Sequence, residues 1–261
     1  MLLVIDAGNT NLTLGLYREQ ELIAQWRLLT QRERSGDEYG ADIKDLFERA
    51  GIDRSNVDGI AIASVVPQLD QALRQVAETG FSVSPLFVDH TTDTGLTLLY
   101  HPPSDLGADR IVDAVAAMNK YGTPCIVVDF GTATTFNAIS KDKEFLGGAI
   151  SPGLYTCADA LFERAARLPR VEFARPRVAI GSSTVEAIQS GLYFGYAGLV
   201  DGVIEQMLEG MDPVSRIVAT GGLAPLIRST SKYIDALDET LTLDGLRIVY
   251  ERNRTECGSA G

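Results

Sequence analysis

Two aspartates, Asp6 and Asp129, each close an apolar run and open a glycine-centred turn. The first phrase is Leu2-Leu3-Val4-Ile5-Asp6-Ala7-Gly8-Asn9-Thr10; the second is Ile126-Val127-Val128-Asp129-Phe130-Gly131-Thr132-Ala133-Thr134-Thr135. Glycine lets such a turn approach a ligand closely, and amides exposed in it form a concave anion site without a lysine. An Asp at the strand end is placed to hold a hydrated divalent cation, a hard ion that prefers carboxylate and phosphate oxygens. A single Asp-x-Gly turn is an ordinary hairpin. Its recurrence in the second half of the chain points instead to a nucleotide clamped between two similar domains.

A third constellation is Gly107-Ala108-Asp109-Arg110, after a loop containing Pro102 and Pro103 and just before a helical pattern. A carboxylate there can accept a proton from a substrate alcohol while Arg110 grips a carboxylate or phosphate in bidentate fashion. The same residues also fit a helix cap, Asp109, paired with its neighbour, and the spacing leaves both readings open. Asp105 and Asp113 are the acidic rivals for the base. Late in the chain, Thr220-Gly221-Gly222 ends an apolar run, where a glycine pair would let an adenine or ribose lie against backbone; a plain strand-to-helix turn is the alternative.

The elements that must position these residues read as an α/β duplication. Strands are expected at 2–5, 11–17 and 22–29, a helix at 37–50 stopped by Gly51, a buried strand at 59–66 and a helix at 68–79. A short strand at 86–88 and a helix at 110–120 follow. The order then restarts with strands at 126–129, 134–140 and 145–150 and a helix at 154–167. A long helical pattern over 184–209, with possible breaks at Gly191 and Gly195, leads to a strand at 217–220, a helix, a strand near Ile234 and a terminal helix at 244–253, with a frayed tail beyond. The seam is placed near residue 120, giving domains 1–119 and 120–261.

Composition bounds the chemistry. The 261 residues are 45% hydrophobic and 22% charged, a globular balance. A formal net charge of −12 disfavours nucleic acid as a partner. The apolar run before Asp6 is too short for a signal peptide or membrane span. Three cysteines, an odd count without zinc spacing, suit a reducing cytoplasm, and the two histidines, His90 and His101, receive no role. No Gly-x-x-x-x-Gly-Lys-Ser/Thr loop is present, no Gly-x-Gly-x-x-Gly follows a strand, and the protein-kinase motif set is missing.

The ordered set formed by the two turns, Ser64-Val65-Val66-Pro67, residues 107–110, residues 147–153 (Gly-Gly-Ala-Ile-Ser-Pro-Gly) and Thr220-Gly221-Gly222 resembles bacterial type III pantothenate kinase. The likeness runs from residue 1 to Asn253. It departs at Tyr155-Thr156-Cys157 and at Asn137, neither of which is given a chemical role. The resemblance implies a duplicated ribonuclease-H-like, actin-like ATPase fold. It implies phosphorylation of pantothenate to 4′-phosphopantothenate, the first step of coenzyme A synthesis, by a cytoplasmic homodimer. ATP, Mg2+ or another divalent cation, and a monovalent cation, K+ or NH4+, are the implied cofactors. It makes Asp109 the base, and lines the pantothenate pocket with Tyr100, Gly107, Ala108, Asp109 and Arg110. Thr184 would complete that pocket near the subunit interface. It assigns ATP to Asp6, Ala7, Gly8, Asn9, Thr10, Asn11, Leu12 and Thr13, with Thr132, Gly221 and Gly222. Asp129 would be the monovalent-cation ligand, and Asp6 would hold the divalent cation through water. Two other classes remain open on the residues: a phosphohydrolase or other ATPase of the same superfamily, and a non-catalytic regulatory homologue.

Overall fold

The computed structural model describes residues 1–165, 168–214 and 216–256. Within them the chain separates into two compact units. One is Met1–Ala116 together with the terminal helix; the other is Ala117–Glu239.

In the first unit, β1 (Leu2–Ala7) is buried along its length except at Asp6, as an apolar run between two strands must be. It pairs antiparallel with β2 (Asn11–Arg18) and parallel with β4 (Gly59–Ser64). With β3 (Glu21–Leu29) and β5 (Leu86–Phe87) the sheet order is β3-β2-β1-β4-β5. Two helices, α1 (Gly36–Arg49) and α2 (Pro67–Gln75), cover one face. Tyr39, Ile43 and Phe47 of α1 and Leu69 and Leu73 of α2 pack on Leu3, Ile5, Leu12, Leu14 and Leu16. A reciprocal capping box starts α1: the Ser35 hydroxyl accepts from the Glu38 amide, and the Glu38 carboxylate accepts from the Ser35 amide. A two-residue strand, β6 (Thr97–Leu98), precedes α3 (Ala108–Tyr121), inside which the boundary between the units falls.

The second unit repeats the plan. β7 (Cys125–Phe130) has the same alternation of buried and half-buried residues as β1, with Asp129 at the position of Asp6. β8 (Ala133–Ile139) repeats the first seven positions of β2. β7 pairs antiparallel with β8 and parallel with β10 (Arg216–Thr220), and β9 (Glu144–Pro152) and β11 (Ala236–Leu237) flank them in the order β11-β10-β7-β8-β9. Helices α4 (Leu154–Arg164), α5 (Thr184–Glu209) and α6 (Ala224–Arg228) complete the unit, and Tyr196, Val200 and Ile204 of α5 pack against Ile126, Val128 and Phe136. The strand order of each half is that of a ribonuclease-H-like sheet, so the expected duplicated α/β fold is present.

Three expectations need adjustment. The long helix does not break at Gly191 or Gly195; α5 is continuous, because Tyr193, Tyr196 and Ala197 on either side of Gly195 are buried and hold it. The helix after β4 ends in a wider, π-type turn over Val76–Gly80. The terminal helix α7 (Leu241–Glu256) belongs to the first unit, not to a 120–261 domain: it packs on β1, β4 and β2. The expected frayed tail, with Cys257, lies outside the described residues.

The docking of α7 rests on close approach at Gly245, where a side-chain Cβ would overlap the Val112 carbonyl of α3. Beside it the Thr242 hydroxyl donates to Asp113 Oδ1 at 2.7 Å. Gly245→Ala is therefore expected to lower stability by about 3 kcal/mol, the upper end for overpacking, because a backbone oxygen cannot step aside. Chemical denaturation checks this; an unchanged midpoint would show that α7 is not held at this contact.

Candidate active site

In the first unit, Asp6 is the fifth residue of β1, opposite Thr13 on β2 and Ala63 on β4. The turn that follows is closed by the Gly8 amide donating to the Asn11 carbonyl at 3.0 Å. A Cβ on residue 8 would stand 3.2 Å from that carbonyl, so glycine suits the tight turn. Asn9 and Thr10 are exposed at its tip, whereas Ala7 and Leu12 are buried and can meet a ligand through backbone only.

The Asp109 loop lies close to this turn in the same unit. The Val65 amide donates to the Ala7 carbonyl at 3.1 Å, and Val65 Cγ1 is 3.4 Å from where a Cβ of residue 107 would stand. Val65 is thus bonded to the end of β1 and lies beside Gly107. Ser64 fixes the bend around Val65: its hydroxyl donates to Asp70 Oδ1 at 2.6 Å and accepts from the Val66 amide at 3.3 Å.

Asp109 lies inside the first turn of α3, a little later in the helix than its expected place before it. Its Oδ1 accepts from the Arg110 amide at 2.7 Å, a bond to the next residue within the helix and not the N2 or N3 bond of a cap. An edge of the side chain stays accessible, yet the carboxyl is deep among protein atoms, and this burial raises its pKa above the ordinary carboxylate value. The Arg110 amide and the charge of its guanidinium oppose that shift without cancelling it. Gly107 makes room for the carboxylate, since any Cβ there would overlap Asp109 Oδ1. Arg110 is 6% exposed, its guanidinium carbon 5.5 Å from the centre of the half-buried Tyr100 ring. Ala108, the first residue of α3, is buried.

The rival carboxylates separate by environment. Asp105 is exposed in a short 3-10 turn. Asp113 is 1% exposed and accepts from Thr242 on α7, a structural role.

In the second unit, Asp129 is opposite Thr135 on β8 and Thr220 on β10, the same setting as Asp6. Gly221 has a φ of +87°, and a Cβ there would stand 2.6 Å from both Asp129 Oδ1 and the Phe130 carbonyl oxygen. Glycine is required on both counts. A Cβ on Gly222, by contrast, would meet nothing within 4 Å, which leaves open space beside the backbone. The Thr132 carbonyl accepts from the Gly153 amide at 3.1 Å and from the Thr156 hydroxyl at 2.9 Å, while the Tyr196 hydroxyl is hydrogen-bonded to Thr134. These contacts tie Gly153 and the start of α4 to the second turn.

Thr184 is elsewhere in this unit. It opens α5 after the cap Ser183, at the rim of an apolar pocket of about 430 Å³ lined by Leu161, Leu168, Ala187, Ile188 and Leu192.

Among the described residues, no cluster of three or more His, Cys, Asp or Glu could hold a metal ion by itself. A divalent cation that keeps its waters and shares one carboxylate with phosphate oxygens does not need such a cluster. The Asp129 carboxylate and the Phe130 carbonyl both pack against Gly221. Val65 stood in the Ser64-Val65-Val66-Pro67 motif with no role of its own, and sequence reading passed over Arg32, whose Nη2 donates to Asn9 Oδ1 at 3.1 Å.

The sequence model of the family described as type III pantothenate kinase matches residues 2–206. A type III pantothenate kinase of Koribacter versatilis (strain Ellin345) is 51% identical, over 98% of this chain and 97% of its own. One from Halalkalibacterium halodurans is 45% identical, over 97% of this chain and all of its own. Solved structures share the fold at low identity. A Sinorhizobium meliloti protein described as a 2-dehydro-3-deoxygalactonokinase aligns with a TM-score of 0.59 at 12% identity, covering 100% of this chain and 98% of that one. A Campylobacter jejuni protein described as a Baf family transcriptional activator aligns at 0.58 and 20% identity, covering 97% and 99%. With half its residues shared with curated members along nearly its whole length, and with the motifs seated at both strand ends, the chain belongs to the type III pantothenate kinase family.

Proposed function

We infer that this chain transfers the terminal phosphoryl group of ATP to the alcohol of pantothenate, giving 4′-phosphopantothenate, with Asp109 as the base. Family membership supports the reaction. The observation that carries the residue assignment is in the first unit: the Val65 amide donates to Ala7 at the end of β1, and Val65 Cγ1 lies 3.4 Å from where a Cβ of residue 107 would stand. That neighbourhood supports reading the Asp6–Asn11 turn as the phosphate site and the buried Asp109 carboxylate as the base.

Phosphoryl transfer asks a protein for positioning, charge neutralisation and a group that orients or deprotonates the attacking hydroxyl. Asp109 suits the last task, because burial makes its carboxylate a stronger base than an exposed one. The Arg110 guanidinium, steadied over the Tyr100 ring, would bind the carboxylate of pantothenate, and the Tyr100 face would pack its gem-dimethyl group. Residues 6–13, Thr132, Gly221 and Gly222 would bind ATP. A divalent cation at Asp6 would supply charge neutralisation at the phosphates, and Asp129 with the Phe130 carbonyl would hold K+ or NH4+. A homodimer in which Thr184 completes the substrate pocket, and a cytoplasmic location, complete the reading. No helix among the described residues is long and apolar enough to cross a membrane.

The test is an assay of the purified chain with pantothenate, ATP, magnesium and potassium, each omitted in turn. Product should require pantothenate and ATP; ATP consumption at the same rate without pantothenate would favour a phosphohydrolase. Replacing potassium by sodium at matched ionic strength should cut turnover about tenfold, or about 1.4 kcal/mol of transition-state stabilisation. Equal rates in the two salts would remove the cation role from Asp129.

A further inference from the structure

The turn after β1 carries a cation that no motif announces. Arg32 follows β3, and the end of that strand is stitched to the turn: the Thr30 hydroxyl donates to the Gly8 carbonyl at 2.6 Å, and the Thr30 amide donates to the Thr10 carbonyl at 3.0 Å. Two residues on, Arg32 Nη2 donates to Asn9 Oδ1 at 3.1 Å. The side chain is exposed, and among the described residues it makes no ion pair within 4.0 Å. Asp6 stands at the strand end, and the chain as a whole carries a formal net charge of −12. A nucleoside triphosphate approaching this turn brings further negative charge, and guanidinium, with five donors, is the side chain best matched to phosphate oxygens.

We propose that Arg32 is a phosphate-binding residue for the polyphosphate of the nucleotide. Resting on the reading of the turn as the ATP site, it adds a charge that the glycine turn alone does not supply. Asn9 holds the guanidinium at the tip of the turn, and the Thr30 contacts fix where the arm carrying it leaves the sheet. One Nη2 hydrogen bond to Asn9 leaves donors with which to meet phosphate.

The test uses Arg32→Ala, Arg32→Gln and Arg32→Lys in the full chain, with ATP and AMP binding measured by calorimetry and the KM for each substrate by assay. Arg32→Ala and Arg32→Gln should weaken ATP about tenfold, in line with loss of a charge-assisted hydrogen bond. Binding of AMP and the KM for pantothenate should change less than about twofold, within the scatter of ordinary surface substitutions. Arg32→Lys should recover most of the loss. The glutamine variant is the discriminating one, since its amide can still donate to Asn9 but carries no charge. Full recovery by glutamine would make Arg32 a neutral buttress and overturn the proposal. Unchanged ATP affinity in Arg32→Ala, or equal weakening of ATP and AMP, would also overturn it. Binding is read apart from turnover, so ATP binding without pantothenate phosphorylation would sink the enzyme assignment while leaving Arg32 to be judged by its own numbers.

Discussion

Asp109→Asn is expected to lower kcat by roughly 10²–10⁴-fold, the usual contribution of a positioned general base, equivalent to about 3–5 kcal/mol of barrier. The lower end is favoured because a dissociative phosphoryl transition state requires little proton abstraction. The substitution is nearly isosteric, and the amide oxygen can still accept from the Arg110 amide at the site of the present 2.7 Å bond. The fold should therefore persist. Removing a buried carboxyl whose pKa is raised also removes a charge that costs free energy in the folded state, so stability near neutral pH should not fall. Pantothenate binding should survive in part through Arg110 and Tyr100. Asp105→Asn, at an exposed turn, should leave turnover near normal. Asp113→Ala should instead lower stability by about 1–3 kcal/mol, the cost of leaving the Thr242 hydroxyl without its acceptor. Steady-state kinetics and denaturation on the same preparations separate these outcomes. Normal turnover in Asp109→Asn with loss in Asp105→Asn would transfer the base to the wrong-looking, exposed carboxylate.

Gly107→Ala should be the second most damaging change, although it adds one methyl group. Its Cβ would overlap Asp109 Oδ1 and touch Val65 Cγ1 at 3.4 Å. The carboxylate must swing away, and misplacement of a catalytic group by about 1 Å costs on the order of 10²-fold. The loss should appear mainly in kcat, with ATP binding nearly unchanged, since the new Cβ would overlap only Asp109 Oδ1 and would meet Val65 at ordinary contact distance. A variant with more than half of normal kcat would show that the Asp109 carboxylate does not need its present position.

The duplication was legible because a fully buried central strand has a simple signature, and Asp6 and Asp129 interrupt it at the same place in β1 and β7. The turn glycines were legible for a related reason: positions such as Gly221 impose a backbone demand that only glycine meets. Other features depend on which surfaces meet, and no local pattern encodes that. The amphipathic α7 reads as a helix from its own residues, but its choice of the first unit is set by Gly245 against Val112 and Thr242 against Asp113. Val65 was read as part of the 59–66 strand and of the Ser64–Pro67 motif, but its neighbours Ala7 and Gly107 come from segments far apart in sequence, so no local pattern gave it a role. Arg32 sat in a polar stretch with several charges, and only the Thr30 contacts bring it to the turn. The continuity of α5 through Gly195 shows tertiary burial overriding a weak local preference.

The pH dependence of kcat/KM for pantothenate, measured on the unaltered chain and on Asp109→Asn, tests the assignment of the base most directly. This profile reports the ionisation of the free enzyme's essential groups. Burial raises the Asp109 pKa, and the base acts only when ionised, so activity should be lost as pH falls through that raised value and regained as pH rises above it. The acid limb of the unaltered chain should therefore lie above the range of an ordinary carboxylate, and it should vanish from the residual activity of the variant. The same acid limb in both proteins, with turnover of the variant near normal, would contradict Asp109 as the base.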